Sequence, residues 1–145
     1  MKNPRIQNTV RLSSEGLAKV LGDLEARVLR ASWQIGKPAT AREVHSIVVR
    51  RHRVALLTVI TVLNKLVTKR VLRRAKRDDL LHYEALLNEE EFMNMASRRV
   101  VEGILNLGPQ AVSASLVDVL AERDPEQLAE LGRLIRRKLR SQADE

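Results

Sequence analysis

The chain has no cysteine and, in 145 residues, only one tryptophan, one tyrosine and one phenylalanine. The first absence excludes disulfides, cysteine-based zinc sites and a thiol nucleophile. The second argues against a membrane-surface helix, which needs aromatic anchors beside its basic face. Long hydrophobic runs are missing too. The richest apolar stretch, Val54 to Leu63, is interrupted by Thr58 and Thr61 and is far too short to span a bilayer, and Met1-Lys2-Asn3-Pro4-Arg5 has no apolar signal region. The six glycines are scattered and form no phosphate-binding loop. His45, His52 and His82 fall on three different predicted elements without a convergent carboxylate motif, so a surface or groove-side place suits them better than catalysis or metal ligation. The reading is a cytoplasmic, soluble protein without membrane insertion, not an enzyme, with no cofactor and no metal.

Positive charge is what the chain has in excess, and it is unevenly placed. Residues 1–87 carry 18 Lys/Arg against 7 Asp/Glu, a balance of +11, whereas residues 88–145 carry 8 against 11, a balance of −3. A basic first half favours a polyanionic partner, whose counterions are released as phosphates are neutralised. Two halves of opposite sign suggest two tasks.

The pattern along the chain separates three regions. Residues 1–20 read as a flexible basic arm: either a plain tail or a segment reaching a DNA minor groove through Arg5 and Arg11. Residues 21–87 read as a winged-helix DNA-binding domain. Leu24, Val28, Leu29 and Trp33 form the apolar stripe of a helix over 23–35 that Gly36 ends. Pro38 in the loop that follows is compatible with a brief strand near Ala39. Thr40 with Glu43 three residues later is a capping box opening a helix over 41–50, with Val44, Ile47 and Val48 inward. Residues 51–54 then turn into a third helix. In it Leu56, Val59, Leu63 and Leu66 form the apolar face, while Thr58, Thr61, Lys65 and Lys69 lie largely off that face. Beyond Val71 and Leu72 the period shortens. Arg73, Arg74, Lys76 and Arg77 lead into an Asp78-Asp79 turn, from which Leu81-His82-Tyr83-Glu84 returns as a second strand.

A helix-turn-helix running into a basic hairpin is the recognition helix and wing of a double-stranded-DNA-binding domain. Thr58, Thr61 and Lys65 are expected to face bases in the major groove. Arg50, Arg51 and Arg53 at the turn, and Arg73, Arg74, Lys76 and Arg77 in the wing, are expected on phosphates. Each has a local alternative: wing arginines protect a sheet edge by charge, and helical threonines bond back to a carbonyl. A rival of another class, a winged-helix protein-interaction module without sequence-specific DNA binding, is disfavoured by the charge partition.

Residues 88–145 read as a helical dimerisation region. Asn88 with Glu91 repeats the capping pattern before a helix over 89–107, where Phe92, Met93, Ala96, Val100 and Ile104 make an apolar row; Gly108-Pro109 stops it. A helix over 110–122 follows, and then one over 125–140 with Asp124 as N-cap and Pro125 in its first position. Leu116, Leu120, Leu128, Leu131, Leu134, Ile135 and Leu139 add more apolar surface than three short helices bury among themselves. A homodimer is therefore expected, with Phe92, Met93, Ala96, Val100, Ile104, Leu116, Leu120, Leu131, Leu134 and Ile135 between subunits, the alternative being a single larger monomeric core. The fold class is mainly α with a small β-hairpin: a winged helix-turn-helix domain followed by a helical dimerisation region.

These residues resemble the penicillinase-repressor family of winged-helix regulators, the BlaI/MecI-like repressors. The similarity rests on Leu21-Gly22-Asp23-Leu24-Glu25 with Val28, Leu29 and Trp33, on Ala41 to Val48, and above all on Ala55 to Leu66, with the wing from Arg74 to Tyr83 and the helical second half in keeping. The resemblance implies a homodimeric repressor of a palindromic operator, of the kind that controls β-lactam resistance. It also implies relief by a membrane sensor with a zinc protease domain, through cleavage in the C-terminal region. The cysteine-bearing copper-responsive branch is disfavoured. The chain departs from the family pattern at three places. Leu56-Leu57 stand where a Tyr-Thr pair is usual, Arg70 stands where a glycine usually follows the recognition helix, and Ser115 to Leu120 lacks the Asn-Phe dipeptide of the cleavage region.

Overall fold

The computed structural model describes residues 21–144, so the expected arm with Arg5 and Arg11 lies outside the described residues. These form two compact units, one running to Val100 and one from Val101 onward.

In the first unit α1 (Asp23–Ile35) buries Ala26, Val28, Leu29, Ala31 and Ser32. No side chain caps its start at Gly22, but Asp23 and Glu25 place negative charge in its first turn, where the helix dipole favours it. Gly36, at φ 70°, ends it in the left-handed conformation, and its N–H donates to the Ser32 carbonyl at 3.1 Å. The short strand β1 (Ala39–Thr40) leads into α2 (Ala41–Val48), whose start is the full reciprocal capping box of Thr40 and Glu43. This helix ends two residues before the expected Arg50, because the Arg50 and Arg51 N–H groups tighten into turns, donating to the Ile47 and Val48 carbonyls at 3.3 and 3.2 Å.

The third helix, α3 (Leu56–Thr68), buries Val59, Val62, Leu63 and Leu66. Val62 joins the face expected from the sequence, whereas Leu56 is only half-buried. Its C-terminus is a Schellman motif: the Val71 N–H donates to the Leu66 carbonyl at 2.9 Å and the Arg70 N–H to the Val67 carbonyl at 3.0 Å. Arg70 adopts φ 61°, the left-handed position usually left to glycine.

Strands β2 (Leu72–Arg77) and β3 (Leu80–Ala85) pair antiparallel, with Arg77 opposite Leu80, and β1 pairs with β3 to give the sheet order β1-β3-β2. Asp78 and Asp79, at φ 51° and 62°, make the two-residue type I′ turn that matches the twist of a hairpin.

The core of this unit reaches further along the chain than residue 87. The Asn88 side chain accepts from the Glu91 N–H at 2.8 Å, and the Glu91 carboxylate accepts from the Asn88 N–H at 3.0 Å; from there α4 (Glu89–Leu105) starts. Phe92 and Ala96, expected between subunits, are instead 0% and 1% exposed within the core of the winged unit. The Phe92 ring lies 5.8 Å from that of Trp33 at a tilt of 59°, and the Trp33 indole N–H donates to the Leu87 carbonyl at 2.9 Å. Met93 and Met95 pack against the same core. The apolar row is real, but its first turns face their own domain.

The second unit holds the end of α4, then α5 (Pro109–Arg123) and α6 (Pro125–Ala143). Pro109 is the first residue of α5 rather than only the stop of α4, and the Asp124 carboxylate caps α6 by accepting from the Gln127 N–H at 3.1 Å. Neither α5 nor α6 has a buried residue, while Leu116, Leu134, Ile135 and Leu139 are exposed.

Candidate nucleic-acid interface

Burying Val59, Val62, Leu63 and Leu66 leaves the opposite side of α3 open. Leu57, Thr58, Thr61, Lys65 and Thr68 are all exposed there. Thr61, Asn64, Lys65, Thr68 and Lys69 line a shallow concavity of about 400 Å³. Two threonine hydroxyls on this side are turned inward, Thr61 Oγ1 donating to the Leu57 carbonyl and Thr68 Oγ1 to the Asn64 carbonyl, each at 3.1 Å. Lys69 points to the first unit's own α1, where its Nζ meets the Glu25 carboxylate at 2.6 Å.

Asn64 couples this helix to the wing. Its Oδ1 accepts from the Arg74 guanidinium at 2.8 Å and from the Tyr83 hydroxyl at 3.0 Å, using both lone pairs of one carbonyl. Arg74 and Tyr83 are directly opposite each other in the β2–β3 register, so both project to the same side of the sheet. On the other side Arg73 is paired with its cross-strand neighbour Glu84, which neutralises part of its charge. Lys76 and Arg77 stand exposed near the hairpin tip, beside exposed Leu80 and Leu81.

The turn between α2 and α3 carries Arg50, Arg51 and Arg53, all exposed. Its conformation is held by His45, whose Nε2 lies 2.7 Å from the Val54 carbonyl oxygen, a structural place for a histidine expected at the surface. Arg50 and Arg51 share a cleft of about 390 Å³ with Arg27, Arg30 and Gln34 of α1, over a floor of Ala31, Ile47 and Val48. His82 is near its own strand's start, with Nδ1 3.1 Å from the Leu80 carbonyl oxygen.

The structure thus joins Thr58, Thr61 and Lys65 on one face, ties Arg74 to that face through Asn64, and groups Arg50 and Arg51 with α1. Asn64, Tyr83, Arg27 and Arg30 are contributors that the sequence reading left out. The spacing of Arg27 and Arg30, three apart on a helix, was a visible signal; the Asn64 bridge spans 10 residues to Arg74 and 19 to Tyr83 and leaves no periodic trace.

Three helices, a three-stranded sheet closed by a two-residue hairpin, and a basic wing beside an open helix face define a winged helix-turn-helix protein. The penicillinase repressor family matches residues 21–137, and the chain belongs to that family. Its members are DNA-binding regulators rather than enzymes. Among curated relatives, the "Transcriptional regulator BlaI" of Mycobacterium tuberculosis is 33% identical over 73 residues, 50% of this chain and 53% of the relative, in both strain CDC 1551 and strain H37Rv. The chain spans about half the length of the curated relatives it matches. Among the described residues no helix is long and apolar enough to cross a membrane.

Proposed function

We propose that the chain is a cytoplasmic homodimeric transcriptional repressor that binds a palindromic operator in double-stranded DNA. The observation that carries this reading is the Asn64 bridge. It fixes a wing guanidinium against the open face of α3, as a reader of the major groove with a phosphate clamp requires. Thr58, Thr61 and Lys65 face the bases. Arg74, Lys76 and Arg77 in the wing, and Arg50, Arg51 and Arg53 at the turn, hold the backbone. Arg73 contributes less, because Glu84 already holds it. The exposed apolar faces of α5 and α6 support pairing with a second copy.

Relief by a sensor protease belongs to the same reading. Its cut would fall near Ser115 to Leu120, a stretch folded into α5, so this helix must open locally before a protease can engage it.

The test is duplex binding as a function of salt. Each phosphate contact contributes about 0.9 to the slope of log affinity against log salt, so a steep negative slope is expected. Replacing Arg73, Arg74 and Arg77 together by alanine should weaken all duplexes alike and flatten the slope. Replacing Thr58 should change sequence preference by about 1–3 kcal/mol. A slope near zero in the intact protein would contradict the assignment and favour a protein-interaction module.

A further inference from the structure

We infer that Leu57 reads the 5-methyl group of a thymine in the major groove; the inference rests on the DNA-binding reading above and names what that helix recognises. Leu57 is 73% exposed, although it is large, apolar and the second residue of the recognition helix. An exposed leucine by itself signifies little, because much of any protein surface is apolar. Its position is what distinguishes it. At about 100° per residue, Leu57, Thr61, Lys65 and Thr68 fall within an arc of about 80°, and Leu57 itself points almost directly away from the buried Val59, Val62, Leu63 and Leu66, so it belongs to the reading stripe.

The hydroxyl of Thr61 adds a second argument. Because Oγ1 donates to the Leu57 carbonyl, the polar atom is spent inside the helix, and the side chain is free to present its methyl group outward. Leu57 and Thr61, one turn apart, therefore make a continuous apolar strip alongside the polar groups of Thr58 and Lys65. In the major groove the base edges offer donors, acceptors and one apolar group, the thymine methyl. The first turn of a recognition helix is the part that reaches base edges. An apolar strip at that place matches the one apolar feature available to it.

The experiment uses the full chain. Bound sequences are first selected from random duplexes, and each thymine of the selected site is then replaced by deoxyuridine, which removes the methyl and nothing else. At one thymine per half-site, affinity should fall about fourfold per methyl lost, or about 15-fold when both half-sites are changed. Leu57→Ala should bind the thymine and deoxyuridine sites equally, and should bind the deoxyuridine site as tightly as the unaltered protein does. Leu57→Met, which keeps the apolar bulk, should restore the preference. If selection enriches a site but no deoxyuridine substitution lowers affinity, or if Leu57→Ala keeps the same thymine preference, the inference is wrong while the DNA-binding reading stands. If selection enriches nothing, both fall.

Discussion

At the scale of single residues, two side chains hold positions that hydrophobic periodicity does not announce, although the family pattern marks the first of them as a usual glycine. Arg70 occupies the left-handed C′ position after α3, where a residue with a Cβ costs about 1–2 kcal/mol. Glycine removes that cost but gains freedom in the unfolded chain, so Arg70→Gly should stabilise the protein by about 0.5–1 kcal/mol. Denaturant unfolding would show this as a higher midpoint at an unchanged slope, and an unmoved or lowered midpoint would contradict it. Asn64 serves two partners from one oxygen. Asn64→Ala should release Arg74 and leave the buried Tyr83 hydroxyl without its acceptor, costing about 1–3 kcal/mol of stability and lowering duplex affinity as well. Tyr83→Phe removes only the second bond. It should cost about 1 kcal/mol and leave duplex affinity almost unchanged, because Arg74 keeps its anchor. Equal losses of affinity in the two variants would show that Asn64 does not act through Arg74.

At the scale of elements, the sequence disclosed where helices and strands form better than what their faces touch. The end of α1 at Gly36, the Thr40–Glu43 box, the Asp78-Asp79 turn and the Asp124 cap are all local chemistry, decided within three or four residues, and the structure has each of them. The row of Phe92, Ala96, Val100 and Ile104 was equally visible as an apolar stripe. Periodicity, however, says that a face is buried and not against what. Phe92 and Ala96 close the core of the winged unit, Val100 is half-buried, and Ile104 is 36% exposed, so the stripe is covered by its own domain only along its first turns. A domain cut after Leu87 would lose Phe92, uncover Trp33 and remove the turn that follows the Leu87 carbonyl. A fragment ending at Val100 should therefore unfold cooperatively, and one ending at Leu87 should be strongly destabilised. Phe92→Ala in the intact chain should cost about 3–5 kcal/mol. Equal melting of the two fragments would show that α4 adds nothing to this core.

At the scale of the whole molecule, the two units differ in how far they satisfy themselves. The first has a core of fully buried Val28, Leu29, Val44, Val59, Leu63, Leu66, Leu72 and Phe92. The second carries two helices of 15 and 19 residues without a buried residue in either, which a lone chain in water has little reason to keep folded. In the proposed dimer a second copy would supply the missing apolar surface, and the same pairing would present two recognition helices to the two halves of a palindrome. Because Leu134 and Ile135 are 46% and 49% exposed, placing charge there disturbs little within the chain itself. Leu134→Asp with Ile135→Asp should therefore act on assembly: sedimentation should show a dimer for the unaltered protein and a monomer for the variant, at a cost of several kcal/mol for charge buried in an apolar contact. The monomer should keep the salt-dependent affinity of one winged domain for any duplex. What it should lose is the advantage of a palindrome over a half-site, since that advantage arises from the high effective concentration of the second reader once the first is bound. A double variant that stayed dimeric would remove α6 from the interface. A monomer that still preferred the palindrome by the full margin would mean that two subunits cooperate on DNA without their C-terminal helices, and the second unit would then need another purpose for its exposed leucines.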